Sequence, residues 1–345
     1  MKRLTILLLS IAGASGRTQQ TPPNPRPAPI SQDELVRRLT VSLDSLSRID
    51  EFSGVTVLAK GGVPVFQMAY GLADRERGIR NNVATAFNLG SINKVFTQIA
   101  IMQLAAASKL ALDSTLSKYW SDYPNQEVAR KITIRQLLRH TSGLGGNIFA
   151  APASGKRNDI RSLRDYLPLF VNQPLQFEPG TKTEYSNAGY VVLGLLVERL
   201  SRQNYYAYVK EHVFDPAAMT RTGSFHVDSL PPNTAVGYTH GFESDKPASA
   251  SLHPNRDDLP GRGSSAGGGY STAEDLLKFL TALRARRIGN GPPAGLGIAG
   301  GSGGMNAVVE GDLPGGYDLV VLANLDPPAA QRVARLAREW LGVAD

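Results

Sequence analysis

Apolar residues first recur at near-helical spacing in Leu35, Leu39, Leu43 and Leu46, just after Ser31, a residue suited to capping a helix. The period then changes. GVTVLAK (54–60) and VPVFQMAYG (63–71) are β-rich runs joined by Gly61-Gly62, which predicts a hairpin. Residues 92–107 (INKVFTQIAIMQLAAA) are apolar around most of their circumference and predict a helix buried on nearly all sides. The middle of the chain reads as helical pattern broken by loops containing Pro and Gly. One helix should start at Thr133, where Thr133 and Gln136 can form a capping box; another should run from Ala188 to Arg202; a third should be capped by Ser271 and Glu274. Strand pattern returns in Met305–Val309 and Tyr317–Ala323, and a last amphipathic helix over roughly 329–342 carries Val333, Leu336 and Trp340 on one side.

Strands at both chain ends with helices between them predict an α/β protein of the α+β type. Its antiparallel sheet would be built from both ends and flanked by helices, with a mostly helical subdomain inserted. Nothing between 50 and 327 reads as a linker, so residues 31–345 are expected to form one interleaved domain.

Ahead of that domain, Lys2 and Arg3 precede the apolar run Leu4–Ile11 and the small residues Ala14-Ser15-Gly16. This pattern predicts a signal peptide over 1–16 and a periplasmic or secreted protein. The apolar run is well short of the ~20 residues needed to span a bilayer, so no stable membrane insertion is expected. Residues 17–30 hold five prolines and no acidic residue, and read as a solvated linker.

Composition narrows the chemistry. Of 345 residues, none is cysteine, which excludes thiolate catalysis, iron–sulfur clusters and disulfide frameworks. The formal charge of +7 invites a nucleic-acid role, but Lys2, Arg3, Arg17 and Arg26 all lie in the leader and linker. Residues 31–345 carry about +3 with no basic stripe among aromatics, so no nucleic-acid partner is expected. The five histidines show no metal-ligand spacing, and neither a metal nor any other cofactor is expected. Nothing in the sequence sets the oligomeric state.

Ser91-Ile92-Asn93-Lys94 is the single place where a serine has a lysine three residues on. On a helix these positions share a face. A serine hydroxyl needs a base to become a nucleophile, and lysine serves if burial or neighbouring cations depress its pKa. The start of a helix also offers N–H groups and a positive dipole end to a developing oxyanion. The competing reading is that Ser91 merely caps the helix while Lys94 reaches solvent. Tyr185-Ser186-Asn187 adds a phenol that could shuttle the proton and an amide that could orient the lysine. A second Tyr-x-Asn, Tyr123-Pro124-Asn125, makes the tripeptide alone a weak signal.

From about Phe52 onward the chain resembles the serine β-lactamase-like, or penicillin-binding-protein-like, hydrolases. The branch is that of class C β-lactamases, family VIII esterases and D-stereospecific peptidases. Its landmarks include FNLGSINKVFTQIAI, ITIRQLLRHTSGL, FEPGTKTEYSNAGYVVLG and SSAGGGYSTAEDLLKF. The resemblance implies that Ser91 attacks an acyl carbonyl, that Lys94 and Tyr185 handle its proton, and that Asn187 lines the site. It also implies an edge strand that usually carries Lys-Thr-Gly or His-x-Gly. Here the matching stretch is Gly297-Ile298-Ala299-Gly300-Gly301, so Ile298 replaces the cationic or imidazole group. That change argues against tight recognition of a substrate carboxylate, while the amides of Gly301 and Ser91 can still form an oxyanion hole. The short stretch before this strand suggests a cleft with one open wall.

The expectation is a secreted serine hydrolase acting on a small ester, amide or peptide, of esterase or D-amino-acid peptidase type. A true β-lactamase, or a catalytically silent member binding cell-wall peptides or a partner protein, are the alternatives. Two G-x-S-x-G stretches, 263–267 and 300–304, are decoys. Neither follows an apolar strand, and no histidine follows either serine. His140, within LLRHTSGL, reads as a structural hydrogen-bonding residue, and Gly267–Gly269 as a close backbone approach near the cleft.

Overall fold

Strand β1 (Gly54–Lys60) is buried at every position except Lys60. A strand with alternating side chains can be buried throughout only if both sheet faces are covered. The computed structural model describes residues 30–150, 152, 155–241, 251–289 and 296–343. The expected signal peptide, and all but the last residue of the expected linker, lie outside them.

β1 turns back through Gly61 and Gly62, at φ +59° and +82°, into β2 (Val63–Tyr70). Two successive left-handed residues are what a tight hairpin turn requires, and glycine adopts them without steric cost. The C-terminal part contributes β3 (Gly297–Ser302), β4 (Met305–Leu313) and β5 (Tyr317–Ala323). The order is β2-β1-β5-β4-β3, every pairing antiparallel, so the two chain ends meet where Gly54 faces Ala323.

Period-two alternation divides the sheet residues between two cores. On one face Leu58, Leu319 and Val321 meet Leu35, Leu39 and Leu43 of α1 (Gln32–Arg48) and Val333 and Ala337 of the C-terminal helix (Ala329–Trp340). On the other face Val57, Val320 and Leu322 join a cluster that continues through Phe96, Phe279, Tyr190 and Phe170 into the helical part. The sheet therefore shares one apolar core with the helical segments that wall the cleft.

Local signals mostly fall where the pattern puts them. Ser31 caps α1, and Thr133 and Gln136 exchange both hydrogen bonds of a capping box at the short helix Ile134–Leu138. The cap of the helix Ala273–Arg284 differs. Thr272, not Ser271, accepts from the N–H of Asp275, because Ser271 is buried in a short strand opposite Phe87 and bonds Thr222. Among the described residues no helix is long and apolar enough to cross a membrane.

Candidate active site

Ser91 lies in a tight 3-10 turn, Gly90–Ile92, that runs directly into α2 (Asn93–Ala106). The segment ahead of it is held along residues 269–271. Phe87–Asn88 pairs with Tyr270–Ser271, and the Leu89 N–H donates to the Gly269 carbonyl at 2.7 Å. No side chain caps α2, so Ser91 is not spent as a cap.

Lys94 does not reach solvent; it is 6% exposed. Its Nζ donates to the Ala266 carbonyl at 2.5 Å and to Asn187 Oδ1 at 2.7 Å, and stands 3.2 Å from Ser91 Oγ. Tyr185 Oη donates to the same Ser91 Oγ at 2.7 Å. Two residues, three and 94 positions along the chain from Ser91, thus converge on its hydroxyl. Tyr185 and Asn187 arrive together because Ser186, between them, caps the helix Asn187–Ser201 through the Gly189 N–H.

No carboxylate is among the recorded partners of Lys94. Burial among neutral groups disfavours the ammonium and brings its pKa down to about 7. The two shortest contacts use two N–H bonds, so the neutral amine can turn its lone pair on the Ser91 hydroxyl. Desolvation raises the Tyr185 phenol, opposed by its bond to Ser91, so it is a neutral hydrogen-bond donor near pH 7. The pair divides the work: an amine able to take a proton and a phenol able to give one.

The edge strand β3 passes close by. A methyl group on Gly300 would stand 2.1 Å from the Leu89 carbonyl oxygen and 2.7 Å from Ser91 N, and one on Gly90 2.8 Å from Gly301 N. This approach tolerates no side chain and sets the backbone of Gly301 beside that of Ser91. Ile298 does not line the cleft. It is 8% exposed, faces Val309 and belongs to the main core. The stretch before β3 includes residues 290–295, which lie outside those described.

The cleft over Ser91 has Ile148, Phe149, Phe225, Leu259 and Met305 among its walls; Asp258 supplies a carboxylate, and among the described residues no Lys, Arg or His lines it. Gly267 and Gly269 approach closely, as expected: a methyl on Gly267 would stand 3.1 Å from the Gly90 carbonyl oxygen, and one on Gly269 2.6 Å from Asn93 Oδ1. The second Tyr-x-Asn is structural, with Tyr123 buried and Asn125 capping the helix Gln126–Lys131. Among the described residues no group of three His, Asp or Glu is placed to hold a metal.

Two members of the site carry no motif of their own. Ala266 contributes only a carbonyl, which any residue supplies, and Tyr190 contributes a ring face 5.5 Å from Lys94 Nζ. Tyr190 lies one helical turn after Asn187, the signal that could have found it.

A Ser–Lys pair at the start of a buried helix thus faces a tyrosine from the helical part and an edge strand of an antiparallel sheet. The chain belongs to the Beta-lactamase family, whose profile matches residues 46–321. Among curated proteins, the putative penicillin-binding protein PbpX of Bacillus subtilis is 33% identical over 67% of this chain and 55% of its own. Esterase EstB of Burkholderia gladioli is 32% identical over 73% of this chain and 70% of its own. The chain thus spans about half the length of PbpX. A penicillin-binding protein from Bacillus halodurans has a crystal structure that superposes with a TM-score of 0.72 at 30% identity, covering 85% of this chain and 98% of that one. The D-amino acid amidase of Ochrobactrum anthropi, at 21% identity and TM-score 0.73 over 89% and 98%, shares the fold.

Proposed function

We propose that this protein is a serine hydrolase that cleaves a neutral ester through an acyl group carried on Ser91. The observation that carries the reading is the convergence of a buried, carboxylate-free Lys94 and the Tyr185 hydroxyl on Ser91 Oγ. Lys94 draws the proton from Ser91 as Oγ bonds to the carbonyl carbon. The amides of Ser91 and Gly301 stabilise the oxyanion, and Tyr185 delivers a proton to the departing alkoxide, recovering one from Lys94. Water, deprotonated by the same pair, then attacks the acyl carbon and releases the acid and Ser91.

The apolar walls, with no cation among the described lining residues, support an uncharged acyl group over a substrate carboxylate. That two of the compared relatives are named as an esterase and an amidase supports ester and amide chemistry in general. The proposal extends to export, supported by the basic, apolar and small-residue succession over residues 2–16. A mature protein recovered outside the cytoplasm should then begin near residue 17.

The test is a panel of nitrophenyl esters, a chromogenic β-lactam and D-amino-acid amides, run beside Ser91→Ala. Neutral esters should turn over best, and Ser91→Ala should lose at least about 1000-fold in kcat with its melting temperature kept. Turnover unaffected by Ser91→Ala would overturn the assignment of the nucleophile. A preference for the carboxylate-bearing β-lactam would overturn the substrate class.

A further inference from the structure

His140 sits where three groups around Lys94 are anchored at once. Its ring lies nearly parallel to Tyr185, with centroids 4.6 Å apart and planes at 27°, and to Tyr190, at 5.0 Å and 28°. Its Nδ1 accepts the N–H of Ser186 at 3.0 Å, and its carbonyl accepts the N–H of Glu184 at 2.9 Å. Both bonds grip the backbone on either side of Tyr185 and immediately before Asn187. Lys94 Nζ in turn lies over the faces of Tyr185, at 4.8 Å, and Tyr190, at 5.5 Å. Tyr190 is itself tied down, its hydroxyl bonded to Gln98 Nε2 at 2.6 Å and to the Leu138 carbonyl at 3.1 Å.

The backbone of His140 helps to aim these groups. Its φ is +58°, a left-handed conformation that a residue with a Cβ adopts at a cost. It ends the helix Ile134–Leu138, where the Thr141 N–H returns to the Gln136 carbonyl at 2.9 Å. Here the left-handed turn lets one residue present its carbonyl to Glu184 and its ring to both tyrosines.

We propose that His140 is a positioning residue for the proton relay: it fixes the plane of Tyr185 and the backbone origin of Asn187, and so holds the phenol and the lysine on Ser91 Oγ. An Nδ1 that accepts a backbone N–H carries no proton, so the working form is the neutral ring with hydrogen on Nε2. Burial and the neighbouring Lys94 both disfavour protonation and bring its pKa down to about 4. A cationic His140 would lose the Ser186 bond and place a second positive charge beside Lys94.

The inference rests on the proposed role of Ser91, and two readouts separate its failure from that of the parent reading. The first is kinetic. His140→Phe keeps an aromatic plane but removes the acceptor; His140→Asn tolerates the left-handed backbone but removes the stacking plane. Each should lower kcat on a neutral nitrophenyl ester by about 10- to 100-fold, the cost of a reacting group misplaced by about 1 Å, with KM changed less than about threefold. Loosening Tyr185 admits water to Lys94, so the acid limb of kcat/KM should also move to higher pH. A folded variant with unchanged kcat, or a loss of kcat with the acid limb unmoved, overturns the proposal. The second readout needs no substrate and no activity. Nitrogen-15 NMR of the wild-type histidines at pH 7 should show one ring with an unprotonated Nδ1 that stays neutral down to about pH 5. This signal should be lost in His140→Asn. A His140 protonated on Nδ1 at pH 7 sinks the idea even if Ser91 proves to be the nucleophile.

Discussion

Two regions of the molecule bury charge in opposite ways. In the sheet, Asp318 of β5 is 2% exposed and meets Arg284 through two bonds of 2.7 and 2.6 Å. Glu310 of β4, 5% exposed, is met by Arg338 at 2.8 Å. Each buried carboxylate has a guanidinium, the partner whose fork best repays the loss of water. In the cleft, Lys94 is as deeply buried and receives only neutral acceptors. The lesson is one of purpose. A counter-ion offsets part of the desolvation of a buried charge, which suits a scaffold even where burial still raises the group, as at Glu310; withholding it lets Lys94 release its proton near neutrality, which suits a relay.

Supplying the missing counter-ion gives the largest expected effect. Asn187→Asp would put a carboxylate at the position now 2.7 Å from Lys94 Nζ and hold the lysine charged. Activity at pH 7 should fall about 1000-fold, equivalent to about 4 kcal/mol of barrier, and recover partly as pH rises. The melting temperature should be retained. An Asn187→Asp variant with full activity at pH 7 would show that Lys94 does not act as the base.

Removing a counter-ion from the scaffold comes next. Arg284→Ala leaves Asp318 buried without its partner and should cost about 3 kcal/mol of stability, read by denaturant unfolding. The folded fraction should keep its turnover, since the pair joins the helix Ala273–Arg284 to β5 and neither residue lines the cleft. A large drop in kcat at full folding would break the division between the two regions.

The smallest effect is one of pH on stability. The pKa of His140 is about 4 in the folded state against an ordinary 6.5, so between these values the unfolded chain binds more protons. Its contribution is therefore fully present above about 6.5 and declines as pH falls towards 4, by about 2 kcal/mol after discounting for the partly exposed ring. His140→Phe should flatten that slope in urea titrations. An unchanged slope would mean that another group carries the acid sensitivity.

Much of this was legible from residues alone, and the limits are instructive. The hairpin at Gly61-Gly62, the capping box at Thr133 and the pairing of Ser91 with Lys94 all act within a few positions, where backbone geometry dictates neighbours. The cap misassigned to Ser271 failed because a strand pairing with Phe87 claimed that residue, a contact 184 positions away in the chain. Ile298 was placed on the correct strand, yet its side chain is packed into the main core. His140 was recognised as a hydrogen-bonding residue, but nothing near it in sequence names the two tyrosines on which it stacks.

The sequence by itself determined the elements, the sheet built from both ends and the serine–lysine pair, because periodicity, caps and helical spacing are short-range physics. Only the tertiary structure decided that Lys94 would have no carboxylate partner among the described residues, that the Ala266 carbonyl would be its closest partner, and that Tyr185 would reach Ser91 across 94 residues. Those are outcomes of packing. The free energy that closes such long loops comes from the whole apolar core, so no local pattern records which side chains it brings together.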